Sequence, residues 1–413
     1  MTLKRKLKET VIYFAPKGKT QWASLIVVCV LLVSSFVYVL STLPDISPDV
    51  KKQMNTESYY TTGIVIETSG EVCDEAAESA PVSVENVPSS WKCIKTYVKI
   101  PNYGNHELQA PYGTTLDDLK PGTKVVVVNY DNGTTNDWYF SSIDRSYVII
   151  FAIALCALTI ILVAGSKGIR AIIGIGLSLT AIVLYLVPSM LSGSSAVFTT
   201  LAISILMLGL IMYLTHGVKW MTTTAFLGTS AGICVIVLIG WVFDLIARSS
   251  MSLPTDMLEI MSFLPQGQTN VLESLSNLYL ASLILASVGV LNDVMIAQAS
   301  TVWQLRLSDK DAPVKTLFLK GMSVGRDHVS SAMYTLVFVY ASTALPLIIS
   351  AYLYTNMSWL SLFSSDFGIE ILKTGVCIIG LMVSVPLTTL FAAYMSSHVN
   401  NKSLTMGASS HSH

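Results

Sequence analysis

Apolar runs of about 20 residues recur along this chain, and each is long enough to cross a hydrocarbon core of about 30 Å as a helix. The first is Ala23–Leu43, and further runs follow from Tyr147 to Ser396. Only 12% of the residues are charged and 52% are hydrophobic, against about 25% charged in a soluble domain. The mean hydropathy is +0.60. A water-soluble globule is excluded on these grounds. The net charge of -1 provides no field for nucleic acid, which is not an expected partner.

The spans read from the sequence are 23–43, 147–164, 171–191, 195–214, 221–247, 275–297, 328–353 and 369–396. This predicts a membrane all-α fold, a bundle of about eight transmembrane helices. Loop charge supports the count. The connections placed in the cytoplasm carry Lys167 and Arg170; Lys219; and, in 298–327, Arg306, Lys310, Lys315, Lys320 and Arg326. Those placed outside, 192–194, 248–274 and 354–368, carry Arg248 alone. The basic excess falls on one side at every turn, which puts both termini inside. Residues 1–22, with Lys4, Arg5, Lys6 and Lys8, form a basic cytoplasmic N-terminus. They resemble the n-region of a signal peptide, but no small-residue cleavage site follows cleanly, so an uncleaved helix is expected. Residues 397–413 read as a disordered cytoplasmic tail.

Residues 44–145 differ from the rest. Short strand-like runs, TGIVIET (62–68), KTYVKI (95–100), KVVVVNY (124–130) and DWYFS (137–141), alternate with turn signals at Asn102-Tyr-Gly104, Pro121-Gly122 and Asp131-Asn-Gly133. Asn-Gly between two such runs signals a hairpin. The pattern predicts an extracytoplasmic β-rich domain, a small barrel or sandwich, inserted between helices 1 and 2, followed by a seven-helix domain over 146–396. Cys73 and Cys93 are the cysteines of this polar region and would form a disulfide in an oxidising space. The other four lie in apolar segments, where a small hydrophobe is sufficient explanation.

The chemistry-bearing residues gather between Gly289 and Tyr340. Asn292 and Asp293 lie toward the end of one apolar run, and Arg326, Asp327 and His328 open the next. Ionisable groups inside spans are rare and mark function or internal pairing. Placed at the cytoplasmic ends of their spans, Asp293 is expected to pair with Arg326, and Asp327 to cap a helix N-terminus. This constellation is either an inner gate or ion-coupling site, or a structural ion pair with a cap. Glu370 and Lys373 stand three apart and can neutralise each other. Pro346 and Pro386 should kink their helices, with Ser384, Thr388 and Thr389 as polar partners near Pro386. Gly228 and Gly232 have the spacing of a close helix contact. Val302–Met322 could be an amphipathic helix at the cytoplasmic interface, with Pro313 at its start, or a solvated connector.

Several segments together carry a family resemblance: GVLNDVMIAQAS (289–300), GRDHVSSAMYTLVFVYASTALPL (325–347), IEILKTGVCIIGLMVSVPLTT (369–389), GSKGIRAIIG (165–174) and LKPGTKVVVV (119–128). The chain resembles the YibE/F-like family of bacterial multi-pass membrane proteins over roughly residues 60–396. The resemblance implies a protein of the cytoplasmic membrane. It departs from the family at Tyr334, where Asn is common.

No Walker A motif, dinucleotide glycine pattern, nucleophile elbow or metal-ligand spacing is present, so neither a cofactor nor enzymatic activity is expected. The expected partners are the lipid bilayer and a solute or ion moved by a transporter or permease. The alternative is a sensor, accessory factor or surface receptor whose β-domain binds an extracellular ligand. A homo-oligomer is compatible with both.

Overall fold

The computed structural model describes residues 19–44, 58–72, 94–110, 114–130, 135–247, 269–354, 358, 360, 363 and 366–399. The chain divides into two compact units, Met1–Ser47 with Val163–His413, and Pro48–Leu162.

The smaller unit holds one antiparallel sheet of five strands, β1 (Tyr59–Val72), β2 (Ile94–Ile100), β3 (Gly104–Ala110), β4 (Lys124–Asn129) and β5 (Trp138–Ile143), in the order β3-β2-β1-β4-β5. The long β1 pairs with both β2 and β4. Register shifts between Val65 and Glu67 and between Ser69 and Val72 bend it. Bulges of this kind increase strand twist, and the edge strands β3 and β5 come into contact, giving a half-barrel. Val65, Val98 and Leu108 point inward between more exposed neighbours, as period 2 requires, and Val125 and Val127 of β4 join them. Leu119, from a 3-10 turn at Leu116–Leu119, completes that core. The hairpin signal is realised as the β4–β5 pair. Residues 131–134 at its turn, and both Cys73 and Cys93, lie outside the described residues.

The helices are α1 (Lys19–Ser41), α2 (Ser146–Ala181), α3 (Val187–Leu191), α4 (Ala196–His216), α5 (Trp220–Ala247), α6 (Thr269–Ser276), α7 (Leu278–Ser308), α8 (Val314–Thr343), α9 (Leu345–Tyr354) and α10 (Asp366–His398). Among the described residues, 6 helices are long and apolar enough to cross a membrane. Their surfaces carry large apolar side chains, such as Phe151, Leu162 and Val163 on α2 and Val30 and Phe36 on α1. A soluble monomer rarely exposes such a surface, and these helices point to a membrane-embedded protein.

Three sequence expectations change. First, α2, a π-helical turn at Ile182–Leu186 and α3 form one helical stretch of 46 residues. At 1.5 Å per residue it would run about 69 Å, about twice a hydrocarbon core. Gly165, at φ 55° and ψ -133°, breaks it between the two expected spans. Second, the expected inner loop 298–327 is largely helical. α7 continues to Ser308, α8 begins at Val314 with Pro313 as N-cap, and residues 309–313 alone make the turn. Gln, Arg and Lys are good helix formers, so a change from apolar to basic residues does not end a helix. The amphipathic interfacial helix over Val302–Met322 is therefore not formed; its residues are the facing ends of α7 and α8. Third, the expected span 328–353 is interrupted at Ala344, where α8 ends and α9 starts with Pro346 in its first turn. Proline cannot donate the hydrogen bond that would continue α8.

The core of the helical unit is the packing of α5, α7, α8 and α10. α5 and α10 run antiparallel and meet in successive layers. A methyl added at Gly228 would strike Thr388, one at Gly232 would strike Ser384, and one at Gly380 would strike Ile236. A methyl at Gly240 would reach Leu283 and, at 3.8 Å, Val376. Each layer thus sets a glycine against a side chain of the other helix. This is the small-residue contact by which membrane helices approach closely.

Candidate functional site

The depth of the polar groups follows from this packing. On α5 an uncharged run lies between Lys219 and Asp244, and on α10 one lies between Lys373 and His398. The layer of Gly232 and Ser384, where Leu291 of α7 also arrives, is close to the middle of both runs. Asp293 follows two residues after Leu291 and is the central residue of α7. On α8, a methyl at Gly325 would lie 3.0 Å from Val385, next to Ser384. A methyl there would also lie 3.0 Å from the amide of Gln298, so Arg326, Asp327 and His328 lie within about one turn of the level of Asn292 and Asp293.

This corrects the placement of these charges at the cytoplasmic ends of spans. They sit at mid-helix because α7 and α8 run on past them. The expected ion pair is also absent among the described residues: no contact within 4.0 Å joins Asp293 to Arg326. The helix geometry gives the reason. α8 turns Gly321 and Gly325 toward α7 and α10, and Arg326 is about 100° further round the helix. Asp293 stands about 140° from Gln298, the α7 residue that meets α8. Asp293, Arg326 and Asp327 are all exposed. Asn292 donates to Asp293 Oδ1 at 3.2 Å, while its own Oδ1 is buried without a partner among the described residues. His328 Nδ1 is likewise buried and unpartnered. Asp327 lies in the middle of α8, so the helix-capping role does not apply. A charge at this depth costs roughly 2.5–3.5 kcal/mol against hydrocarbon on insertion scales.

A second polar group, at the junction of α7, α8 and α10, escaped the sequence reading. Gln298 is fully buried. Its Nε2 donates to Gly321 O at 2.9 Å and to Thr389 Oγ1 at 2.7 Å, while Oε1 has no partner among the described residues. Gly321 and Gly325 leave the space its amide fills. Beside it Thr388 Oγ1 donates to Met295 Sδ at 2.8 Å, and Trp303 Nε1 to Thr224 Oγ1 at 3.3 Å. The signal was there, an amide one residue beyond the expected end of a span, but reading 298 as loop removed it.

The third group lies at the other end of the bundle. Lys373 Nζ donates to Glu370 Oε1 at 2.7 Å, and the two side chains are only 15% and 25% exposed. The local neutralisation is made. Asp244, Glu370 and Cys377 stand within electrostatic reach of Tyr279, whose buried hydroxyl has no hydrogen-bond partner among the described residues. Tyr340 OH and Cys377 Sγ are 3.6 Å apart. Four helices thus contribute to one polar end. Arg248, four residues after Asp244, lies outside the described residues.

Pro386 lies inside α10 without ending it. The hydroxyls expected to serve the carbonyl it frees are used elsewhere: Ser384 donates to Gly380 O, Thr388 to Met295 and Thr389 to Val385 O. Among the described residues, no three His, Cys, Asp or Glu side chains gather as a metal site.

A family model described as YibE/F-like protein matches residues 152–398. No curated protein matches the chain, and no solved structure does.

Proposed function

Because the chain belongs to the YibE/F-like family, which its residues 152–398 match, we propose that it is a multi-pass transporter or permease of the bacterial cytoplasmic membrane. Eight spans fit the helices: α1, the two halves of the stretch divided at Gly165, α4, α5, α7, α8 with α9, and α10. The N- and C-termini and the turn 309–313 are cytoplasmic, and the half-barrel is extracytoplasmic.

One observation carries the transport reading. Asp293, Arg326 and Asp327 lie within about one turn of the middle of the uncharged runs of α5 and α10, where charges are kept only at a cost. Groups at that depth can bind an ion or a polar solute away from both aqueous phases. The test is flux in liposomes containing the full chain, with a panel of ions and small solutes. The expected result is flux in the native protein and its loss in Asp293→Asn, with folding retained. Absence of flux for every ion and solute, from correctly inserted protein, would refute it. Labelling of a cysteine placed at Lys310 from the outside would refute the orientation.

The receptor reading has its own support in the half-barrel. Tyr60, Val128 and Tyr139 are aligned across β1, β4 and β5, and Tyr60, Tyr139 and the neighbouring Tyr130 are exposed. Tyrosines supply rigid contact area for a ligand. A ligand whose binding is lost in the triple alanine variant, in a chain without flux, would favour this second reading.

A further inference from the structure

We infer that the polar layer at the end of the bundle away from the turn 309–313, built from Asp244, Tyr279, Tyr340 and the Glu370–Lys373 pair, binds a small ammonium cation, either ammonium itself or a primary amine. The inference concerns binding at equilibrium and uses none of the charges that carry the transport reading.

Three helices fix the layer. A methyl at Gly240 of α5 would strike Leu283 of α7, meet Leu280 and lie 3.8 Å from Val376 of α10. Asp244 stands four residues after Gly240, Tyr279 four before Leu283 and Lys373 three before Val376. Each is therefore about one turn beyond that apolar contact, on the same stripe of its helix. α5 runs antiparallel to both α7 and α10, as the paired contacts of Gly232 and Gly240 show, so the three steps lead in one direction. On α10 the stripe continues through Glu370, Lys373, Cys377 and Gly380 at steps of three and four residues. It is an inner stripe, because a methyl at Gly380 would strike Ile236 of α5. α8 joins the layer through the hydroxyl of Tyr340, 3.6 Å from Cys377 Sγ.

The layer leaves one phenol without a partner. Tyr279 is only 8% exposed, and its hydroxyl makes no hydrogen bond among the described residues. Asp244 and Glu370 are within electrostatic reach of it. A buried polar group left unmade is costly, and a ligand that satisfies it recovers that cost. The charges define the ligand. Lys373 already donates to Glu370 at 2.7 Å. Two carboxylates thus stand against one ammonium, a surplus of one negative charge among the described residues, and a partly buried charge calls for a counter-charge. A divalent metal takes several carboxylates or imidazoles, and no three such groups gather among the described residues. An ammonium group carries its charge on N–H donors, so it can donate to a carboxylate and to the Tyr279 oxygen together.

The test is equilibrium binding of radiolabelled methylammonium to the full chain in detergent. Saturable binding is expected, displaced by ammonium but not by sodium or by tetramethylammonium, which has no N–H to donate. Tyr279→Phe should lower the affinity about tenfold, as the loss of one hydrogen bond to a charged group implies. It should unfold no more readily than the native protein, since the hydroxyl it removes has no partner to lose. A tyrosine that serves packing alone would leave the affinity unchanged in that variant. Asp244→Asn should weaken binding by a similar factor. Asp293→Asn should bind methylammonium as the native protein does, even where flux is lost, which separates this site from the transport reading. Absence of saturable binding would overturn the inference. So would displacement by tetramethylammonium as effective as that by ammonium, an unchanged affinity in Tyr279→Phe, or loss of binding in Asp293→Asn. If Asp244→Asn prevents folding, Tyr279→Phe decides, since it removes a single oxygen.

Discussion

Gly228→Val tests the packing of α5 on α10 directly. A methyl at Gly228 meets three atoms of Thr388, with Cβ at 2.8 Å and Cγ2 at 2.9 Å. Thr388 is fully buried, and its hydroxyl already donates to Met295 Sδ. Turning its hydroxyl away from Met295 would give up that bond. Forcing extra carbons into a packed core costs about 1–3 kcal/mol, and valine, with three new carbons, belongs at the upper end. Its better helix propensity returns roughly 0.4 kcal/mol. The net loss is about 2 kcal/mol, which lowers the folded-to-unfolded ratio about 30-fold. The assay is reversible unfolding of the full chain by detergent titration, followed by circular dichroism. Thr388→Gly in the same chain moves the missing volume to the other helix and should recover about 1–2 kcal/mol as coupling. Gly176→Val is the control, because nothing lies within 4 Å there, and it should stay within about 0.5 kcal/mol of the native protein. If Gly228→Val matches Gly176→Val, or the double substitution is no better than the two singles summed, the close contact is not what holds these helices.

Gln298→Met gives up two interhelical hydrogen bonds, each worth about 0.6 kcal/mol on average in membranes, and also removes the orphaned Oε1. The loss should stay below about 1 kcal/mol, whereas Gln298→Ala, which leaves a cavity, should cost about 2–4 kcal/mol; equal losses would count against the arrangement. Glu370→Gln and Lys373→Met should each destabilise by about 1–3 kcal/mol by leaving a partly buried charge alone, and together by less than their sum; strict additivity in the same unfolding assay would mean no pair. In the half-barrel, the Thr115 hydroxyl and then its amide hold the Asp118 carboxyl below the usual carboxylate range. A depressed pKa contributes stability above the unfolded value of about 3.9, and that contribution is lost as pH falls through the folded pKa. The difference between native protein and Thr115→Val should therefore be present at neutral pH and vanish in strong acid; a difference independent of pH would refute the link.

The two materials of the chain were legible because hydrophobic periodicity carries them. A run such as KVVVVNY alternates with its neighbours at a turn signal, and it became β4 facing β5. The helical character of the membrane-directed half was legible for the same reason, and Gly228 and Gly232 were found from spacing alone. The ends of α7 and α8 were not. A span was read as ending where charge begins, but a helix ends where its backbone hydrogen bonds end, and nothing between Gln298 and Ser308 stops them. That difference moved Asp293 and Arg326 from the rim to the middle. It also hid Gln298. The pairing of Asp293 with Arg326 failed for a reason that no one-dimensional reading contains, namely which way α8 is rotated when its glycines face inward.

The layers between α5 and α10 have a mechanical meaning. The glycine stands on α5 against Thr388 and Ser384, moves to α10 as Gly380 against Ile236, and returns to α5 as Gly240 near Val376. Slide one helix by a turn and Gly232 would face Gly380, leaving a hole, while Ile236 would face Val376, a collision. The sequence of sizes thus works as a key with only one seating. Motion in this bundle can tilt the α5–α10 pair as a unit, but it cannot ratchet one of these helices along the other.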